Sequence, residues 1–255
     1  MARGMNKVTV IGFVEREPEM RYAAQGDPVT SFPISTSRYW TTSNGEARES
    51  TEWFNIVAWR GLAEAAKQWL CTNQRVYAEG HLQTRSWEDE EGLRHFRTEV
   101  VASKLIPLDD REGVAEGKLH DTCEGMPLCL NRVLVIGNLG RDPEMRYTPS
   151  GQAVTSFSLA ATCTRAAAYG ERRDSTEWFN VVTWGSLAEI CNQYLSKGRR
   201  VYLEGELRTR GWEQSDGKKH FRTELVANEM IILGPRPTLA GADYLGSSNQ
   251  AAFPL

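Results

Sequence analysis

At 255 residues and a net charge of −3, the chain is long enough for two domains of ordinary size, and its charge balance counts against a duplex binder that relies on phosphate neutralisation. No apolar stretch reaches membrane length, and Met1-Ala2-Arg3-Gly4 is not followed by the apolar run of a secretion signal, so a cytoplasmic chain is expected. The five cysteines do not recur between the two halves described next, which argues for free thiols rather than a disulfide framework; Cys123 and Cys129 lack the spacing and histidine partners of a zinc site.

Residues 6–107 repeat as residues 131–232 without a gap, at an offset of 125 and with about half the positions identical. One module has been duplicated, and its period is too long for a solenoid. The acid sits mainly in the connector: the first copy holds 12 Lys/Arg against 14 Asp/Glu, the second 14 against 12, and residues 108–130 hold 2 against 6. The second copy is therefore expected to be the tighter phosphate binder, if phosphates are bound.

Each copy opens on an apolar strand, Val8-Thr9-Val10-Ile11-Gly12 and Val133-Leu134-Val135-Ile136-Gly137. A charged, turn-rich loop follows at 16–22 and 141–147, then a second strand from Val29 to Ser37 and from Val154 to Thr162. A polar loop around Asn44-Gly45 and Tyr169-Gly170 reads as a hairpin and leads into a third strand, Ser50–Trp59 and Ser175–Trp184. The period then changes to helical. Leu62, Ala65, Ala66, Trp69 and Leu70 share one face, as do Leu187, Ile190, Cys191, Tyr194 and Leu195, with Gly198 as a stop signal. Two more strands close each copy, 75–87 with 95–102 and their counterparts, and Gly80 and Gly205 suit a bend within the fourth strand.

Three strands, a helix and two strands in about 100 residues is the order of a five-stranded Greek-key OB barrel. The expected fold is all-β, two tandem OB-fold barrels with one helix each. The first domain spans 1–107, a flexible acidic linker 108–130, the second domain 131–233 and a disordered tail 234–255.

Alternation in the third strand sends Phe54, Ile56 and Ala58 to one face and Trp53, Asn55, Val57 and Trp59 to the other. Two tryptophans on a face that is polar in a half-exposed sheet read as a stacking platform for unpaired bases; the other reading is a sheet buried on both sides, with the rings as bulk. Trp40 and the pair Trp87/Trp212 add rings, and Trp178 and Trp184 repeat the platform in the second copy. Arginines lie among them: Arg16, Arg21, Arg85 and Arg97, matched by Arg141, Arg146, Arg210 and Arg222. Rings interleaved with guanidinium groups fit single-stranded nucleic acid, at about 1–3 kcal/mol per stacked base.

The runs Asn131–Tyr147, Thr176-Glu177-Trp178 and Tyr202–Trp212 together resemble the bacterial single-stranded DNA-binding proteins of replication, recombination and repair. The resemblance covers nearly all of both copies. It implies that Trp40, Trp53, Trp59, Trp87, Trp178, Trp184 and Trp212 stack on bases, with no cofactor, no metal and no catalysis. Arg165 stands where the family pattern, and Trp40 of the first copy, has tryptophan, exchanging a stacking partner for a phosphate contact. The chain ends Ala252-Phe253-Pro254-Leu255 instead of in the acidic run with Pro-Phe by which family members recruit repair and replication enzymes. By analogy with the two-domain forms of the Deinococcus and Thermus group, a homodimer with four OB domains is expected, its tethered barrels raising the effective concentration for the second contact.

Three rivals stand beside this reading. A hydrolase or nuclease would rest on His95/His220 with Glu99/Glu224, but no nucleophile or metal trio accompanies them. A protein-interaction barrel would use the aromatic face without needing a cation beside every ring. An RNA-binding OB module remains open, because stacking ignores the sugar.

Overall fold

The structure, a computed structural model, describes residues 4–42, 44–88, 92, 94–115, 129–166, 172–213 and 219–234. In the first module β1 (Met5–Val14), β3 (Pro28–Thr41), β4 (Ala47–Trp59), β6 (Arg94–Pro107) and β5 (Arg75–Glu88) close into a barrel in that spatial order, β5 returning to β1. All pairings are antiparallel except β4 with β6. The second module repeats this with β7 (Leu130–Leu139), β9 (Ala153–Ala166), β10 (Arg172–Trp184), β12 (Lys219–Leu233) and β11 (Arg200–Glu213). Both modules are the OB barrels that the strand order predicts.

The inward residues are those of period-two alternation. Val8, Val10, Phe32, Ile34, Ile56, Val76 and Val100 fill one barrel, and Val133, Val135, Phe157, Leu159, Val181, Val201 and Leu225 the other. Each such side chain contributes about 1.5–3 kcal/mol on burial, which sets the register of every strand that carries one.

Four expectations change. The charged loops at 16–22 and 141–147 contain short strands, β2 (Glu19–Tyr22) and β8 (Glu144–Tyr147), each pairing with the strand that follows it. Their sequence, Glu-Met-Arg-Tyr, is too short and too charged for an alternation signal.

The helices, α1 (Gly61–Trp69) and α3 (Gly185–Tyr194), turn a different face inward. Ala63 and Ala66, then Leu70, are buried, as are Ala188, Cys191 and Leu195, while Trp69, Ile190 and Tyr194 are exposed. Small residues let the helix approach β3 closely enough for the buried Thr30 hydroxyl to donate to Ala63 O at 2.8 Å, and Thr155 does the same to Ala188 O. Bulk at 69 and 194 has no room there.

The connector does not begin as a free chain. Leu108 N donates to Arg75 O, Arg75 N donates to an Asp109 carboxylate oxygen at 2.8 Å, and a further short helix, α2 (Arg111–Ala115), follows. The rest of the connector, 116–128, and the tail from 235 onwards lie outside the described residues.

The largest change is that the barrels are fused. β1 and β7 pair antiparallel from Met5↔Ile136 to Ile11↔Leu130, joining both modules in one 12-stranded sheet. Val8 pairs with Val133, its own counterpart in the repeat, so a local twofold axis passes between them. β1 meets β3 only at Phe13 and Val14, which leaves the earlier part of its edge with unpaired backbone groups; the same edge of β7 satisfies them.

Gly80 and Gly205 sit at register shifts where β5 and β11 bend. A Cβ at Gly80 would overlap Val101 O, and one at Gly205 would overlap Val226 O. Gly80→Ala is expected to cost about 1–3 kcal/mol through overpacking, read as a lower urea midpoint at unchanged slope.

Candidate nucleic-acid interface

On β4, Phe54, Ile56 and Ala58 are buried as alternation requires, and Trp53 stands on the other face, 62% exposed; its counterpart Trp178 is 59% exposed. The residues directly opposite on β3 and β9 are small, Ser35 and Ala160, so neither ring is covered by its cross-strand neighbour. Both rings are open to solvent, so the buried-bulk reading does not hold for them. Val57 departs from the alternation: it is buried although it shares the parity of Trp53. Trp59 is half-buried beneath a guanidinium, with Arg85 Cζ 5.9 Å from its ring centroid, while Trp184 is exposed.

The arginines near the tryptophans of β4, Arg97 by Trp53 and Arg85 by Trp59, are anchored. Arg85 on β5 and Arg97 on β6 lie directly opposite each other, a like-charge pairing that destabilises a sheet on its own. Glu99, almost fully buried, lies within reach of both: its Oε2 is 3.3 Å from Arg85 Nε without hydrogen-bond alignment, and its Oε1 is 3.6 Å from Arg97 Nε and accepts from Asn55 Nδ2 at 3.1 Å. One carboxylate thus lies against two guanidinium groups whose side chains remain about half exposed. In the second module Arg210 and Arg222 are likewise opposed, Arg222 donates to Asn180 Oδ1 at 2.6 Å, and Glu224 lies 3.9 Å away.

Other candidates lie elsewhere. Arg21 and Arg146 stand on the edge strands β2 and β8, each beside a glutamate of its own strand, Glu19 and Glu144. Trp40 shares the parity of the inward residues Ile34 and Thr36, so it occupies the opposite face of the β3–β4 ribbon from Trp53. Arg38 lies over its ring at 5.4 Å and bonds Glu206 of the second module at 2.6 Å. Trp87 is exposed on β5. The side chains of Arg165, Trp212, His95 and His220 lie outside the described residues. Among the described residues no cluster of three or more His, Cys, Asp or Glu is placed to hold a metal, and no helix is long and apolar enough to cross a membrane.

Sequence reasoning missed the seam between the modules. Glu52 accepts from Thr209 N at 2.9 Å and Glu177 accepts from Thr84 N at 3.1 Å, two equivalent bonds related by the twofold. Burial pushes the Glu52 carboxyl above its ordinary range, opposed by that bond and by Arg208. Each bond ties the outer arm of one barrel to the tryptophan strand of the other. Phe96 and Phe221, 67% and 71% exposed, sit on those arms. The signal for them was present, since His-Phe-Arg-Thr-Glu recurs in both copies, but the parity of Phe96 matches core positions such as Val100.

Residues 5–108 and again 130–233 match the model of the single-strand binding protein family. The chain belongs to this family. It is 35% identical over 256 residues to the single-stranded DNA-binding protein of Thermus thermophilus, covering 98% of this chain and 91% of that one. The Deinococcus radiodurans single-stranded DNA-binding protein is 33% identical over 258 residues, covering 100% of this chain and 82% of the relative. The crystal structure of the wild-type single-stranded DNA binding protein from Thermus aquaticus superposes with a TM-score of 0.70 at 28% identity, covering 94% of this chain and 98% of that one. The two-module form is thus shared with family members over nearly their whole length.

The modules are not equal within this shared form. The Trp178 ring lies where a Cβ on Gly140 would overlap Cζ3, whereas the first module has Glu15 at that position. Gly140→Ala is expected to displace the ring and change the near-UV circular dichroism. Because the ring can swing to solvent, the stability change should stay below the overpacking cost of about 1–3 kcal/mol, as read by urea unfolding.

Proposed function

We propose that the chain binds single-stranded DNA without regard to sequence and protects strands exposed during replication, recombination and repair, acting passively at the nucleoid in the cytoplasm. One observation carries this reading: Trp53 and Trp178 are open flat rings, and each has an arginine of the neighbouring strand held near it, by a buried carboxylate in the first module and a half-buried amide in the second. Bases stack on the rings while the anchored guanidinium groups meet phosphates; because these cations are already ordered, less rotamer entropy is lost on binding. Trp59, Trp87 and Trp184 extend the stacking surface, and Arg85 and Arg210 the cationic one. The names of the relatives support the same ligand.

The reading is tested by intrinsic tryptophan fluorescence during titration with oligo-dT and, separately, with a duplex of equal length. Strong quenching by the single strand alone is expected; equal response to both, or to neither, would remove the proposal. Trp53→Ala and Trp178→Ala are each expected to weaken oligo-dT binding about tenfold with the thermal midpoint little changed. Titration with oligo-rU decides between DNA and RNA.

Two chains are further proposed to pair through the outer face of the joined sheet. There Thr9, Ile11, Tyr77, Leu134, Ile136 and Tyr202 form a half-buried, largely apolar surface flanked by the ion pairs Lys7–Glu79 at 2.9 Å and Arg132–Glu204 at 2.6 Å. These pairs hold both glutamates below the ordinary carboxylate range, with the Tyr77 and Tyr202 hydroxyls donating to the same carboxylates. Sedimentation equilibrium should return twice the chain mass, and Ile136→Glu should return the mass of one chain.

A further inference from the structure

The two sides of the seam are built differently. On one side the arm of the second module, β11 with β12, lies against the β3–β4 ribbon of the first, and Glu52 accepts the Thr209 N–H at 2.9 Å. Glu206, half-buried on β11, accepts on one oxygen, Oε1, from Arg38 of β3 at 2.6 Å and from Arg208 Nε at 3.0 Å. Arg208 also attracts the Glu52 carboxylate and Glu206 repels it, so two cations and two carboxylates form one cluster around a backbone bond. On the other side Glu177 accepts from Thr84 N at 3.1 Å, and the repeat puts Cys163, His81 and Gln83 at the positions of Arg38, Glu206 and Arg208. The carboxylate-to-backbone bond is repeated across the twofold; the arginines and the second carboxylate around it are not.

We infer that the arm of the second module is held by an ionic latch that salt releases, and that the matching bond of the first module's arm does not share this dependence, so the seam opens on one side first. Arg38 is the key member. Arg208 and Glu206 lie on the same strand, so their pair survives opening, whereas the Arg38–Glu206 pair and the attraction between Arg208 and Glu52 both cross the seam. Arg38 and Arg208 are about half exposed, so their fields pass partly through water and are screened by added ions. Release moves the β11–β12 arm, which carries Arg210, away from the strand that carries Trp53. The amide protons of Thr209 and Thr84 are the groups bonded across the seam, so each reports the closure of its own side.

The test follows solvent exchange of these two amide protons by NMR in the full chain without nucleic acid. Sodium chloride is raised from about 0.1 M to about 1 M, which shortens the Debye length from about 10 Å to about 3 Å. High salt is expected to speed exchange at Thr209 by about twofold to fivefold relative to Thr84, the range of an exposed ion pair. Arg38→Gln should give Thr209 its fast exchange already at low salt and remove the salt response, and Arg38→Lys should restore part of both. Because Arg38 also lies over the Trp40 ring, Glu206→Gln supplies a second route that removes the charge pair and leaves the ring contact in place; it should reproduce the Arg38→Gln result. An equal salt response at the two amides would overturn the latch. So would a Thr209 response in Arg38→Gln and Glu206→Gln as large as in the wild-type chain.

Discussion

The antiparallel pairing of β1 with β7 is the constraint on which the rest of this molecule depends. An OB barrel closed through only two residue pairs between its first and second strands leaves backbone donors and acceptors exposed along the remaining edge. Two copies of the same strand in one chain satisfy each other about a local twofold, and the register is set by burial: Val8 and Val133 must both point into their barrels, so a one-residue slip would turn an apolar row outward. The asparagines at the start of the modules reinforce this. Asn6 bonds both Leu82 N and Leu82 O, and Asn131 does the same at Leu207.

Once the barrels share a sheet, their outer arms have no choice of neighbour. The arm of each module lies against the tryptophan strand of the other, and a glutamate from the Thr-Glu-Trp sequence receives a backbone N–H across the seam in both directions. Glu52 and Glu177 thus connect a local sequence feature to the relative placement of two domains. The twofold is imperfect where the sequences differ. Arg38 bridges to Glu206 and covers Trp40, but the second module has Cys163 at the position of Arg38. The ring of Trp178 occupies space left by Gly140, where the first module carries Glu15.

Bulk charge is a poor guide to this surface, because carboxylates serve here as mounts for cations. Glu99 sits under two guanidinium groups that would otherwise repel across a strand pair, and much of the chain's excess acid falls in the connector, between the two copies in sequence. A chain with net charge −3 can therefore present ordered positive groups beside open aromatic rings. The arrangement is local, so its field is felt within a Debye length of the site, about 8–10 Å at moderate salt.

The sequence by itself determined the module, its duplication, the strand order and the exposed side of Trp53, because these rest on period-two alternation and on turn residues that act over a few positions. It did not reveal β2 and β8, whose four residues carry too little pattern, or the inward face of α1, where close approach to β3 selects Ala63 and Ala66 over Trp69. Nor could it separate Trp40 from the face of Trp53, since their relation depends on the pairing register of β3 with β4. The clustering of Arg85, Arg97 and Asn55 around Glu99, the reciprocal glutamates and the groove lined by Phe96 and Phe221 were decided by tertiary structure alone. Each joins residues far apart in the chain, and such contacts follow from which strand edges remain open once the barrels close, a property of the folded whole and of no single segment.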